Sequence, residues 1–338
     1  MVTATTTRPE VYFSFFMFTH DLQPNNPAYT EVIARHIREL SSYGYDGFDL
    51  PIAPTSDDHR AELQSYVNLR HRLEDLGLGE VRITTNVATT RQFDPTSADP
   101  EQRAAALEYL RSRVDITAAL GGSLMAGPVI FPYNVYPVTD DGRPIWSDAL
   151  QEWVQPGYAR ARPIVSELGT YAGERGVTVG IEPVDHWEQA APNLVGDVAD
   201  FLEGFSGTNV GVCIDSSHVV LGSEGPEAFR RQVARLAPEG RISSIHLSAP
   251  DRGRLVDSWI PWRTFLEPIL PVYDGPFLVE VFNAVPVFLN SLRLTRRKFW
   301  IPGEDEPVPG VPDAYTVAAE AIGTVRDELS QFTAASLR

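Results

Sequence analysis

The chain has 338 residues, enough for one large core or two ordinary domains, with 43% hydrophobic and 22% charged residues as in ordinary soluble proteins. A formal net charge of −17 repels nucleic acid and anionic membrane, so a neutral substrate, a cation or a protein partner suits the field better. The single cysteine, Cys213, excludes an intramolecular disulfide framework and suits a reducing compartment. The opening "MVTATTTRPE" lacks the charged start and apolar core of a signal peptide, and no apolar run approaches a membrane span. A cytoplasmic location is expected.

Strand-like and helical patterns alternate along the chain. An aromatic run, "VYFSFFMF" (11–18), predicts the first strand, and a helix over 30–43 follows. Next come "GFDLPI" (47–52) and a helix over 58–77, then "VRITTNV" (81–87) and a helix over 99–119. "GSLMAGPV" (122–129) precedes a long helix over 148–176, and "VTVGIEP" (177–183) a helix over 194–205. "VGVCID" (210–215) leads to a helix over 225–237, and "ISSIHLS" (242–248) to one over 261–270. "PFLVEVF" (276–282) is the eighth strand, and a helix over 313–334 closes the chain.

Strict alternation implies parallel strands joined by right-handed crossovers, and eight units predict a closed (β/α)8 TIM barrel. The whole chain, 1–338, reads as one such domain, with its surplus length in two loops, 129–147 and 283–312. Both follow strands, which places them on the carboxyl face where barrel enzymes keep their active sites. A doubly wound open sheet is the alternative, but no Gly-rich phosphate loop follows the first strand.

Glu182, Asp215, His246 and Glu280 fall at or near the carboxyl ends of strands five to eight. Side chains alternate along a strand, so Gly180, Cys213, Ser244 and Leu278 share their directions one layer down. The first three are small and leave room for polar groups at the barrel mouth. Three carboxylates converging with one imidazole repel one another unless a cation joins them. An oxygen-rich set with one nitrogen favours Mn²⁺, Co²⁺ or Mg²⁺ over a thiolate-loving metal. Four unrelated polar residues at loop edges is the competing reading.

The motifs "EPVDHWE" (182–188), "DSSH" (215–218), "HLSAPDR" (246–252) and the "VE" ending at Glu280 resemble the xylose isomerase-like TIM barrels. More closely they resemble the sugar phosphate isomerase/epimerase superfamily, which includes the ketose 3-epimerases. That resemblance implies metal ligation by Glu182, Asp215, His246 and Glu280, with Mn²⁺ the foremost candidate. It implies contacts to sugar oxygens from Glu188, His218 and Arg252. His186 stands where epimerases carry another residue and belongs to the substrate or to the surroundings of the ligands. Glu188 as a solvated loop acid, Arg252 paired with Asp251 or Asp257, and Trp187 as packing or sugar stacking stay open. The expected chemistry is removal of a proton next to a metal-held carbonyl, by Glu182 or Glu280, with the charge held as an enediolate. Reprotonation on the other face gives an epimer, relocation an isomer, and a leaving group β to the carbonyl is eliminated.

The N-terminal "FSFFMFTHDLQPNNPAY" and the tail "FNAVPVFLNSLRLTRRKFWIPGEDEPVPGVPD" most resemble the alpha subunits of C-glycoside deglycosidases. This implies cleavage of the carbon–carbon bond in a 3-oxo-C-glycoside and pairing with a small beta subunit. A ketose 3-epimerase or sugar isomerase is the alternative. His218 and His20, at the end of the first strand, are the imidazoles nearest a group that protonates a leaving ring, with capping or packing the other role for His20. The basic aromatic stretch "RLTRRKFW" (293–300) reads as a lid, a subunit contact or a solvated helix end, with Phe299 and Trp300 as anchors. A sugar-phosphate enzyme would want a cation cluster, yet Arg252 and Arg254 have no lysine beside them. A non-catalytic sugar-binding module would not need Glu182 and Glu280.

Overall fold

Eight strands form a closed ring in chain order, each parallel to the next, with the last paired to the first. The computed structural model describes residues 8–56, 58–145, 147–205, 209–222, 224–282 and 299–335. The strands are β1 (Val11–Ser14), β2 (Gly47–Pro51), β3 (Arg82–Asn86), β4 (Leu124–Gly127), β5 (Thr178–Ile181), β6 (Val210–Asp215), β7 (Ile242–Leu247) and β8 (Phe277–Val279). Helices on one side and barrel filling on the other bury nearly every strand position, which is why the strands read as continuous apolar runs.

Around the ring lie α1 (Pro27–Tyr43), α2 (His59–Asp75), α3 (Pro100–Ala119), α4 (Ser147–Gly173), α5 (Val195–Leu202), α6 (Ser216–Gly222), α7 (Pro226–Leu236), α8 (Trp262–Ile269) and α9 (Ala314–Ala335). Local chemistry starts them: the Asn26, Asp58 and Asp99 side chains accept from backbone N–H groups of the first turns of α1, α2 and α3. Among the described residues, no helix is long and apolar enough to cross a membrane.

Two departures from the sequence reading matter. The aromatic run 11–18 is not one long strand: β1 stops at Ser14, whose hydroxyl accepts from Phe16 N (3.3 Å) and caps a 3-10 turn over Phe15–Met17. The turn sends Phe15 and Phe18 outward against His36, where Phe18 stacks at 3.9 Å. The tail differs more. Residues 283–298, which carry most of the basic stretch "RLTRRKFW", lie outside the described residues. Its described end is no exposed anchor, because Phe299 is buried in the hydrophobic core. Trp300 is half-buried, donating through its indole N–H to the Val311 carbonyl (3.1 Å). His36 bonds Glu304 (2.8 Å) and the Tyr315 hydroxyl (2.9 Å), so the end of the tail and α9 are fastened to α1.

One glycine bears directly on the site. Gly127 ends β4 at φ +133°, where a Cβ would lie 2.2 Å from the Val87 carbonyl oxygen. Its own carbonyl accepts from Glu182 N at 3.0 Å, so the ladder continues one residue past β5 and holds Glu182 at the rim.

Candidate active site at the carboxyl mouth

The four predicted ligands converge. Glu182 follows β5, Asp215 ends β6, His246 is the penultimate residue of β7 and Glu280 follows β8, anchored by its N–H to Leu247 O at 3.0 Å. One ligand atom from each of the four lies within 4.8 Å of the others, and all four side chains are buried. His246 Nδ1 is 3.4 Å from Glu182 Oε1 and 4.0 Å from Glu280 Oε2.

Electrostatics decide what this cluster can hold. Two like charges about 4 Å apart at an effective dielectric of about 20 repel by about 4 kcal/mol. Burial and the charges of Glu182 and Asp215 accordingly push the Glu280 carboxyl well above the ordinary glutamate range. Burial acts against protonating His246, but Glu182 and Asp215 outweigh it and raise its pKa. Two buried atoms facing the cluster, His246 Nδ1 and Glu280 Oε2, have no hydrogen-bond partner among the described residues. Orphaned donors in an oxygen-rich, one-nitrogen set fit a divalent cation.

A second layer surrounds Arg252. Its guanidinium reaches Asp215 Oδ2 and Glu188 Oε1 (3.3 and 3.2 Å), Asp185 Oδ2 and Glu280 Oε2 (each 3.7 Å) and the Ser248 hydroxyl (2.8 Å). It also lies 4.8 Å over the Phe282 ring. Burial opposes its charge, yet the surrounding acids hold its pKa above the ordinary guanidinium value. Its partners are thus the acids of the site rather than Asp251 or Asp257. The backbone is equally determined: Arg252 has φ +56°, donates to Ala249 O (2.7 Å) and accepts from Phe282 N (3.1 Å). A non-glycine residue held in the left-handed region needs such fastening.

Asp215 also starts α6, a helix too short to leave a periodic signal. Its Oδ1 accepts from Ser217 N (2.5 Å) and His218 N (3.2 Å), which turns His218 toward Glu182 Oε1 (3.7 Å from Nε2). Burial raises the Glu188 carboxyl, with Arg252 and His218 working the other way. The loop after β4 closes over it: Asn134 N donates to Glu188 O (2.6 Å), and Tyr133 lines the same cavity.

These groups line a cavity of about 320 Å³. Its lining includes Glu182, Glu188, His218 and Glu280 together with the apolar Phe16, Ile52, Pro54, Val184 and Phe282. His20 lines it too, as an exposed rim residue. His186 is not drawn in: it is exposed beside Trp187, which is itself 49% exposed rather than packed. The wall at 52–54 is braced by the buried Arg113–Glu62 ion pair, in which Glu62 also accepts from Thr55 N (2.7 Å). A larger hollow of about 780 Å³ lies at the opposite mouth, but it holds none of the four-ligand cluster.

Asp185 and Phe282 escaped the sequence reading. Asp185 stands inside the quoted "EPVDHWE", so its presence was visible. Its neighbours, His218 on α6 and Arg252 after β7, were not.

The chain is similar in sequence or fold to several named proteins. A ketose 3-epimerase from Arthrobacter globiformis is 23% identical over 291 residues, covering 84% of this chain and 87% of its own. An L-ribulose 3-epimerase from Methylomonas sp. strain DH-1 is 24% identical over 228 residues, covering 67% of this chain and 73% of its own. A crystal structure described as a candidate sugar phosphate isomerase/epimerase, from Anabaena variabilis ATCC 29413, superposes with a TM-score of 0.93 at 53% identity, covering 96% of this chain and 99% of that one. D-allulose 3-epimerase from Methylomonas sp., in complex with D-allulose, shares the fold at a TM-score of 0.72 and 20% identity, covering 95% and 97%. Residues 37–298 match the family model of the xylose isomerase-like TIM barrel. A match of that length on a closed eight-stranded ring makes the chain a member of the xylose isomerase-like TIM barrel family.

Proposed function

We propose that the protein is a divalent-metal-dependent enzyme that epimerises an uncharged keto-sugar at the carbon next to its carbonyl. The observation that carries this reading is the convergence of Glu182, Asp215, His246 and Glu280 within 4.8 Å, with Glu182 and Glu280 also lining the cavity. These four would hold Mn²⁺, Co²⁺ or Mg²⁺. Such an ion, when bound, polarises a carbonyl and its neighbouring hydroxyl and so acidifies the hydrogen between them. Glu182 and Glu280 then serve as the proton-transfer pair, one removing the proton and the other returning it on the opposite face. Arg252, Glu188 and His218 position the sugar oxygens. The curated relatives named as 3-epimerases support the reaction type.

Charge supports an unphosphorylated substrate. Among the described residues, five buried acids (Glu182, Asp185, Glu188, Asp215 and Glu280) face one arginine, Arg252. Even with a divalent cation added, the carboxylates outnumber the positive charges on metal and arginine, and a phosphate group would be repelled.

A second reading is elimination: the same proton leaves, and the bond to an aglycone β to the ketone breaks while the aglycone ring takes a proton. The apolar lining of the cavity by Phe16, Ile52, Pro54 and Phe282 favours a substrate with an apolar substituent. A small beta subunit belongs to this reading. The test is incubation of the Mn²⁺-loaded protein in deuterated water with D-allulose or with a 3-oxo-C-glucoside. Epimerisation of the ketose with solvent deuterium at C3 supports the first reading. Turnover of the glycoside alone, with release of aglycone, would replace it by the second.

A further inference from the structure

Cys213 is the one cysteine of the chain and is fully buried, and neither the ligand set nor the proton transfer above uses it. The barrel fixes where it points. On β6 it lies two residues before Asp215, so its side chain takes the same direction one layer deeper. In the β6–β7 register Cys213 pairs with Ser244 as Asp215 pairs with His246. Gly180 on β5 stands one layer below Glu182, and a Cβ placed there would be 3.5 Å from the Cys213 Cβ. With no side chain at Gly180, the thiol faces Glu182. One ligand atom from each of Glu182, Cys213 and His246 lies within 4.8 Å of the other two, and all three side chains are buried. The imidazole they share is also unsatisfied: His246 Nδ1 is buried with no hydrogen-bond partner among the described residues.

We propose that Glu182, Cys213 and His246 form a second, inner position for a thiophilic divalent ion such as Zn²⁺ or Cd²⁺, one layer below the four-ligand position. The two positions share Glu182 and His246, so they hold one ion at a time. Ligand softness sorts the ions between them. The outer set, three carboxylates and an imidazole, suits the hard ions Mn²⁺ and Mg²⁺. The inner set offers one oxygen, one nitrogen and one sulfur, donors that Zn²⁺ takes in tetrahedral sites with a fourth position left for water. Coordination by the sulfur releases the thiol proton to solvent. Charge permits the inner position. One carboxylate and one thiolate balance the two charges of the ion, and the acids left behind, Asp215 and Glu280, keep Arg252 at 3.3 and 3.7 Å. An ion held by Cys213 takes two ligands from the outer position, so Zn²⁺ or Cd²⁺ displaces Mn²⁺. The inference concerns the metal alone and holds whichever reaction the site performs.

The experiment titrates the Mn²⁺-loaded protein, and separately the metal-free protein, with Cd²⁺ in thiol-free buffer. A thiolate bound to Cd²⁺ absorbs in the ultraviolet by charge transfer from sulfur to metal, and with one cysteine in the chain that signal has one source. The band should rise to a plateau at one Cd²⁺ per chain, while Mn²⁺ is released in step, as read by its electron paramagnetic resonance. Cys213→Ser should lose the band and bind Cd²⁺ roughly tenfold or more weakly, with Mn²⁺ affinity kept. Cys213→Ala serves if the serine disturbs the packing, and the wild-type titration decides the matter even if neither variant folds. A wild-type protein saturated with Cd²⁺ that shows no sulfur band overturns the proposal, because the soft ion then sits among the outer carboxylates. So does a full band with all Mn²⁺ retained, since the two positions would not share ligands. Undiminished Cd²⁺ affinity in a folded Cys213→Ser protein overturns it as well. A protein that meets every expectation yet epimerises no ketose would count against the proposed function and leave the inner position standing.

Discussion

Replacing Glu280 with Gln keeps the side chain's shape and removes its charge, and the consequences differ with and without metal. In the metal-free protein, Glu280 is crowded by Glu182 and Asp215 and relieved in part by Arg252 at 3.7 Å and His246 at 4.0 Å. Each like-charge pair is worth up to about 4 kcal/mol at an effective dielectric of about 20, and the nearby cations offset much of it. A net gain of about 1–3 kcal/mol is expected for the metal-free Gln variant. At about 2 °C per kcal/mol for a chain of this size, Tm rises by about 2–6 °C at neutral pH. The pH dependence has a definite sign. An acid whose folded pKa is raised holds its proton more tightly in the folded state, so wild-type stability is lost as pH rises above the ordinary glutamate range. Burial pushes Asp215 up, but Arg252, His218 and His246 outweigh it and hold it low, so its contribution is lost only as pH falls. Glu280→Gln should remove the first slope and keep the second. With Mn²⁺ present the order reverses: wild type gains stability by binding and the variant gains less, having lost one ligand. Turnover should fall at least a hundredfold, as for loss of a general base. Differential scanning calorimetry across pH, with and without Mn²⁺, and metal analysis of the dialysed protein check this. A Gln variant less stable than wild type in both states, or one with full metal content and a loss below tenfold, would refute the reasoning.

Two further outcomes follow from individual contacts. Arg252→Ala removes the cation shared by Asp215, Glu188, Glu280 and Asp185, and losing one member of a buried ion pair typically destabilises by about 3–5 kcal/mol. The metal-free variant should therefore melt well below wild type and recover partly on adding Mn²⁺; equal melting with and without metal would show that Arg252 and the cation do not share a field. Phe299→Ala deletes a core side chain and should destabilise by about 3–5 kcal/mol, read as a lower Tm of the isolated chain. A loss of partner binding with unchanged Tm would restore Phe299 as a docking residue.

Much of the architecture is written in one dimension. Val210–Asp215 reads as a strand from its apolar run and the acid that ends it, because a strand buried on both faces leaves a short continuous signature. Asn26, Asp58 and Asp99 mark helix starts because capping is a local interaction. Glu182, Asp215, His246 and Glu280 stood out because alternating strands and helices force their successive ends onto one rim. Other features have no local record. Ser216–Gly222 spans too few residues for helical periodicity, and β1 ends early because the Ser14 hydroxyl competes for a backbone N–H. Arg252 has acids beside it in sequence, Asp251 and Asp257, yet its charge is taken up by four acids from three other segments of the fold. Asp185 and His218 are far apart in sequence and meet because β5 and β6 are neighbours in the ring. Strand and cap are decided by each residue's nearest neighbours in the chain, whereas the pairing of a buried charge depends on which groups share its low-dielectric surroundings, and the closed barrel alone sets that.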